Sequence, residues 1–265
     1  MRWTEVVTFS GQIVSLCPST TETLIEFGLS DQICGITKFC IHPESIVKNL
    51  TQVGGTKDPD LEKIRTLAPD LIFMNSEENR REDYESLAKE FQVDVSEPKS
   101  VAELPALLRH FGKLTNCTAV AEASATRLEQ ALESLKQARE DRQDRESIFT
   151  YAYLIWRKPW MSVGADTYVS RLFEEAGGAN VFAQSEARYP EISLQALADK
   201  KPDFVFLADE PFPFADKHIP EVQKACPHAK IEVINGDDCC WHGIRSIRGV
   251  ELMQTLLHRL AKLDA

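Results

Sequence analysis

The residues that could do chemistry in this chain lie outside the usual catalytic signatures. The sequence has no phosphate-cradling Gly-rich loop, no Gly-x-Ser-x-Gly and no His-Glu-x-x-His. Cys17, Cys34 and Cys40 do not have zinc-ribbon spacing. What remains is a set of aromatic and soft-ligand residues in loops expected to follow strands. The first half supplies Phe39, Cys40, His42 and Thr56; the second supplies Trp156, Trp160, Tyr189, Trp241 and His242. Three of the four tryptophans fall in this set, and that concentration points to stacking on a wide, flat ligand held by aromatic walls and a few polar anchors. A metal-bearing ligand could also engage His or Cys. Each residue has a plainer alternative. A tryptophan packs in a core, Cys40 fills space as a small apolar side chain, and His42 is a loop histidine before Pro43.

These loops need a frame, and Thr118 to Arg145 is expected to organise it. This stretch holds no Gly and no Pro and is rich in Ala, Leu, Glu, Gln and Arg, so a single long helix is expected. On either side lies a repeated unit. LEKIRTLAPDLIFMNSE (Leu61 to Glu77) matches LQALADKKPDFVFLADE (Leu194 to Glu210) when Pro69-Asp70 is set on Pro202-Asp203, an offset of 133 residues. Each copy reads as a short helix, a Pro-Asp turn and an apolar strand. Two similar units around a strut imply two lobes. The expected division is an N-terminal lobe over 1–114, a linking helix over 115–146 and a C-terminal lobe over 147–265.

Within the lobes, a strand is expected at Gln12 to Leu16 and a capping box at Ser19 and Glu22 opening a helix to Phe27. A strand follows at Ile33 to Thr37. Asp58-Pro59 is expected to open the first repeated helix, and Ser100 and Glu103 a later one. In the second half, Ile148 to Ile155 reads as a strand and Tyr168 to Ala176 as a helix. Ser193 caps the second repeated helix, and Ile219 to Ala225 is a further one. Ile231 to Ile234 is the last strand, Cys239 to Gly243 a loop, and Arg248 to Leu263 an amphipathic helix. Strands alternating with helices give the expected fold class: α/β, two three-layer lobes with parallel sheets joined by one long backbone helix.

A hydrophobic content of 43% is enough for a real core. The net charge of −11 disfavours nucleic acid and anionic membrane as partners, and no apolar run is long enough to span a bilayer. The opening MRWTEVVTFSGQIVSL does not read as a secretory leader, and seven cysteines, two of them adjacent, suit free thiols. The expected compartment is therefore the cytoplasm, with the periplasm as the alternative if a leader has been removed.

Several motifs carry a resemblance over nearly the whole chain. They are IVSLCPSTTETLIEFG, GITKFCIHP, VGGTKDPDLEKIRTLAPDLIF, WRKPWMSVGADTYVSRLFEEAGGANVF, RYPEISLQAL, PDFVFL and WHGIRSIRG. Together they resemble the single-helix-linked substrate-binding proteins of ABC importers, most closely the cobalamin-binding branch. The resemblance implies a non-catalytic protein that needs no resident cofactor and binds cobalamin or another metal chelate between its lobes. By position it implies ligand contacts from Phe39, Trp160, Tyr189 and Trp241; the loop chemistry adds Cys40, Thr56, Trp156 and His242, with Arg245 close by but out of register, and puts His242 or His42 near the metal. The resemblance also implies a monomer that docks on an importer permease, for which Glu62 and Glu191, at the starts of the repeated helices, are the candidate acids. An aromatic that the family pattern carries near Thr56 is missing here, and His242, Gly243 and Ile244 replace the charged residues that follow the last aromatic. The other readings are a haem or ferric-siderophore receptor and, in a different class, a bilobal tetrapyrrole chelatase.

Overall fold

The structure is a computed structural model that describes residues 9–141 and 148–263. The chain forms two compact units. The first comprises residues up to Pro98, Glu103–Arg127 and His242–Arg245; the second comprises Lys99–Ala102, Leu128–Trp241 and the residues from Ser246 on. This differs from a simple division at 114 and 147. The boundary falls inside the long helix, and four residues from late in the chain belong with the first unit.

The first unit contains β1 (Ile13–Ser15), α1 (Pro18–Glu26), β2 (Ile33–Ile36), α2 (Glu44–Val47), α3 (Leu61–Leu67), β3 (Leu71–Asn75), α4 (Arg81–Leu87), β4 (Gln92–Ser96) and α5 (Leu104–Leu114). The strands form a parallel sheet in the order β2-β1-β3-β4. Every residue of β1 and β3 is buried, so both faces of the central strands are covered, as a parallel sheet requires. Val14, Leu16, Val53, Ile64, Ile72, Met74 and Leu87 form the core.

The long helix, α6 (Thr118–Glu140), starts at the expected residue. The expected continuation beyond Asp141 toward Arg145 lies outside the described residues. The second unit continues with β5 (Phe149–Trp156), β6 (Trp160–Ser162), α7 (Tyr168–Glu175), β7 (Gly178–Asn180), β8 (Glu191–Ile192), α8 (Leu194–Lys200), β9 (Phe204–Ala208), α9 (Ile219–Ala225), β10 (Lys230–Ile234), α10 (Gly236–Cys240) and α11 (Ser246–Leu263). Its sheet runs β10-β9-β5-β6-β8, with β7 also paired to β5. β10, β9, β5 and β7 are parallel, whereas β6 pairs antiparallel with β5 and β8 antiparallel with β6 as an added edge. The α/β class holds, and this short edge is an addition to a purely parallel plan.

The internal repeat is structural. Asp60 Oδ1 caps α3 at Lys63 N–H (3.0 Å) and Ser193 Oγ caps α8 at Ala196 N–H (3.0 Å). Both helices end on a residue in the left-handed region, Ala68 (φ 46°) and Lys201 (φ 49°). The Asp after each proline then accepts a backbone N–H from the neighbouring strand region, Gln12 to Asp70 (2.6 Å) and Thr150 to Asp203 (2.7 Å).

Three local expectations are corrected. α1 begins at Pro18 with Cys17 as N-cap, so Ser19 lies inside the helix and the Ser19–Glu22 box does not form; Pro18 supplies a pre-set φ and lacks the N–H that a cap would satisfy. Asp60, not Asp58, caps α3, and Asp58 instead pairs with Lys38 at 3.7 Å. The stretch expected to be a loop at Cys239 is the end of α10, which Asn235 caps by accepting from Asp238 N–H (2.7 Å).

Candidate functional site

Ligands of open α/β sheets bind beyond the carboxyl ends of the parallel strands. In the first unit, the loop after β2 is anchored by Lys38 N–H donating to Gly54 O (2.8 Å) and Cys40 N–H to Thr37 O (3.1 Å). These bonds leave Phe39 and Ile41 each 49% exposed. Lys38 Nζ lies 5.2 Å from the centroid of the Phe39 ring, a cation–π distance. Cys40 points inward: it is buried, with Sγ 3.1 Å from Thr21 Oγ1 and 3.3 Å from Thr37 Oγ1. Burial pushes its thiol up and keeps it protonated. Thr56 is also buried, and its carbonyl accepts from Asn79 Nδ2 (3.0 Å). His42 is partly buried in the same loop.

The short segment His242–Arg245 packs against α1 in this unit. Arg245 Nε and Nη2 donate to Glu22 Oε2 and Oε1, both at 2.6 Å, and both residues are buried. Ile244 N–H donates to Thr23 Oγ1 (3.1 Å). Gly243 sits at φ +83°, and a Cβ there would strike Thr23 Oγ1, so only glycine fits. Ser19 Oγ lies 3.2 Å from both ring nitrogens of His242.

Arg245 thus forms a buried bidentate pair with Glu22. His242 is held inside beside Ser19, and burial pushes its imidazole down to about 4, which favours the neutral form. Among the described residues, no group of three or more His, Cys, Asp or Glu could hold a metal ion.

In the second unit, the ends of β5 and β9 carry an aromatic cluster. Trp156, 40% exposed, meets Phe212 edge-on with centroids 5.6 Å apart. Trp160 stacks on Phe214 at 6.0 Å and 11°. Phe212 and Phe214 touch at 4.6 Å, and His218 lies edge-on to both. The Arg157 guanidinium lies 5.9 Å from the Trp160 centroid and is fixed by Glu221 at 2.8 Å. Tyr189 is 39% exposed, with the Arg188 guanidinium 5.8 Å from its ring centroid. Its backbone is pinned on both sides, because Arg188 O accepts from Gly164 N–H (2.8 Å) and Pro190 O from Ser162 N–H (3.0 Å). Trp241 is buried.

The expected residues therefore separate. Phe39, Trp156 and Tyr189 present aromatic surface, and Trp160 is partly exposed. Cys40, Thr56, Trp241, His242 and Arg245 face inward. Phe214 enters the core of the second unit and Phe212, partly buried, packs on it; they back Trp160 and Trp156. Lys38 and Arg157 lie over the Phe39 and Trp160 rings, and none of these four is among the expected site residues. The alternation Pro211-Phe212-Pro213-Phe214 directly after a strand was the available signal.

Comparison with known proteins gives a consistent result. The chain is 25% identical over 197 residues to a vitamin B12-binding protein of Vibrio campbellii, covering 74% of this chain and 70% of that protein. It is 26% identical over 199 residues to one from Vibrio cholerae, covering 75% and 70%. Among solved structures, the periplasmic vitamin B12 binding protein of Vibrio cholerae superposes with a TM-score of 0.81 at 24% identity, over 95% of this chain and 98% of that one. A periplasmic heme-binding protein from Roseiflexus gives 0.78 at 17% identity, over 95% and 99%. At these identities the structural likeness speaks to the fold.

The expected cytoplasmic location is corrected by the family match over residues 13–225, whose description is periplasmic binding protein. The thiol argument failed on physical grounds. Cys17, Cys40, Cys117, Cys226 and Cys239 are buried, and burial pushes the Cys17 thiol up to about 12. Thiols that do not ionise persist without a reducing compartment. The relatives are solute-binding proteins, which sets the chelatase reading aside. Residues 13–225 match the family described as periplasmic binding protein, and the chain belongs to that family.

Proposed function

We propose that this protein is the substrate-binding component of an ABC importer and that it carries a cobalamin-like metal chelate. The named relatives support the class. The observation that carries the ligand reading is the exposure of large aromatic side chains in each unit, Phe39 in the first and Trp156 and Tyr189 in the second. Stacking would contribute about 1 kcal/mol per aromatic beyond simple burial. In the second unit, Arg157 over Trp160 and Arg188 over Tyr189 are cations that would suit the phosphate of cobalamin. Cobalamin brings its own axial ligands, which agrees with the enclosure of His242.

Calorimetry with cobalamin on the wild type, Trp156→Ala, Trp160→Ala and Tyr189→Ala tests this. Each substitution is expected to weaken binding about fivefold or more, since about 1 kcal/mol is at stake. Unchanged affinity in all three would remove the aromatic surface from the reading. A haem reading has one observation in its favour. The Tyr189 phenol, with Arg188 beside it, is a group that can serve as an axial iron ligand. A Soret band on adding haem that Tyr189→Phe abolishes would favour haem over cobalamin.

For docking on a permease, Glu62 and Glu191 are exposed acids at the start of α3 and on β8. Glu62 already pairs with Arg65 at 2.7 Å, a weak surface interaction that docking can displace. Transport stimulation by the wild type is expected to weaken with salt, and stimulation by the Glu62→Ala and Glu191→Ala variants to be lower and less sensitive to salt.

A further inference from the structure

The sequence contains one Asn-Gly pair, Asn235-Gly236, and the fold requires both residues. β9 and β10 pair in register up to Ala208 and Ile234. Asp209 N–H then donates to Ile234 O (3.1 Å), so the two segments leave the sheet side by side. Asn235 serves as a cap, because its Oδ1 accepts the Asp238 N–H at the start of α10 (2.7 Å). Gly236 is needed for space: a Cβ there would lie 2.8 Å from the backbone N of Glu210 and 2.9 Å from its O.

Asn-Gly is chemically the most labile link an asparagine makes, because glycine has no side chain to shield its nitrogen. Once Gly236 N has lost its proton to solvent base, it can attack Asn235 Cγ. The new N–C bond closes a succinimide ring, and the side-chain nitrogen leaves as ammonia. Water then opens the ring at either carbonyl, giving aspartate or isoaspartate. Asn235 is exposed, so water and base reach it.

The folded geometry opposes each step. Gly236 N–H donates to Asp209 Oδ1 at 2.7 Å, so the attacking nitrogen is bound, and the carboxylate charge opposes loss of its proton. The Asn235 side chain is held by Asp238 N–H, and ψ at Asn235 is 111°. Ring closure needs that torsion to turn until Gly236 N meets Cγ, which breaks the bond to Asp209. We propose that Asn235-Gly236 is a latent deamidation site and that Asp209 holds it closed. Either product puts a further negative charge beside Asp237 and Asp238, and isoaspartate also adds a backbone carbon at the start of α10. None of this depends on which ligand the protein carries.

Incubation of the full-length native protein at mildly alkaline pH, followed by peptide mass spectrometry and an isoaspartate assay, tests the proposal. In urea, wild type and Asp209→Ala should deamidate at Asn235 at a common rate, and the native wild type should be far slower. Native Asp209→Ala is expected to deamidate about tenfold faster than native wild type, as losing a hydrogen bond to a charged group should allow. Asp203→Ala loses the bonds to Thr150 in the same unit and should keep the wild-type rate, which separates a lost clamp from general destabilisation. Asn235→Ser can still cap α10 and should show no mass change in this peptide. An unaltered native rate in Asp209→Ala would overturn the assignment. So would an equal acceleration in Asp203→Ala, or a native wild type that deamidates as fast as the chain in urea.

Discussion

The two copies of the helix–turn–strand module share their frame and differ in what they carry. In both, a capped helix of seven residues ends in a left-handed residue, and Pro-Asp follows. In both, the strand that follows is buried along its whole length. Past the strand the copies diverge. β3 ends in a polar network: Asn75 Nδ2 donates to Ser96, Asn75 Oδ1 accepts from the N–H groups of Glu77 and Glu78, and Asn79 Nδ2 bonds to the carbonyls of Leu16 and Thr56. β9 leads instead to the Phe212–Phe214–His218 cluster. The frame is set by caps and backbone geometry that recur in both copies, while the loops beyond it form a hydrogen-bonded brace in one unit and an aromatic cluster in the other.

The deepest difference is the charge buried in the first unit. Glu22→Ala would leave Arg245 enclosed without its partner, and a loss of about 3–5 kcal/mol is expected. Urea unfolding measures it. The double variant with Arg245→Ala should lose less than the sum of the single losses, because it leaves no orphaned charge. A fully additive double variant would show that the pair is not a coupled unit.

Much of the frame was legible in the sequence because its signals are local. Apolar periodicity located β5, α7, α9 and α11 within a few residues, and Ser193 was a correct cap because a Ser before an apolar helix needs only its own neighbours. What escaped notice depends on contacts between distant residues. Ser19 and Glu22 have capping-box spacing, yet Glu22 is claimed by Arg245, 223 residues away. The antiparallel edge was missed because β6 and β8 span only three and two residues, too few for a period. For the candidate site, loop position identified aromatic residues near strand ends, but nothing local distinguishes exposed Trp156 from buried Trp241. Tertiary packing decides that.

His242 gives the first unit a pH dependence. Its ordinary value is 6.5 and burial lowers it to about 4 in the folded protein. Between these values the unfolded chain takes up a proton that the folded chain refuses, so stability falls as pH falls. About 2 kcal/mol should be lost between pH 7 and 5, of about 3 in all, and the loss should level off below about 4. Unfolding at pH 7 and 5 for the wild type and His242→Gln isolates the effect above the main carboxylate range. An identical decline in both would assign it elsewhere.

The Asp after each proline sharpens the comparison at smaller scale. Asp70→Ala removes one hydrogen bond, to Gln12 N–H, and should cost about 1 kcal/mol. Asp203→Ala removes two, to the N–H and the hydroxyl of Thr150, and should cost about 2 kcal/mol. Equal costs would mean that the Thr150 hydroxyl contributes nothing.

The helix caps should show the smallest effect and the closest equality. Asp60 and Ser193 each accept one N–H three residues on, at the same 3.0 Å, at the start of seven-residue helices. Replacing either with Ala frees a backbone donor to water and should cost about 1 kcal/mol. Asp60 adds a favourable charge at the positive end of its helix, so its loss should be larger by a few tenths of a kcal/mol at low salt. That excess should vanish as salt rises, whereas the Ser193→Ala cost should stay fixed. Thermal unfolding of both variants at two ionic strengths reads the difference. If the Asp60→Ala cost is insensitive to salt, charge plays no part and the two caps act through the hydrogen bond alone.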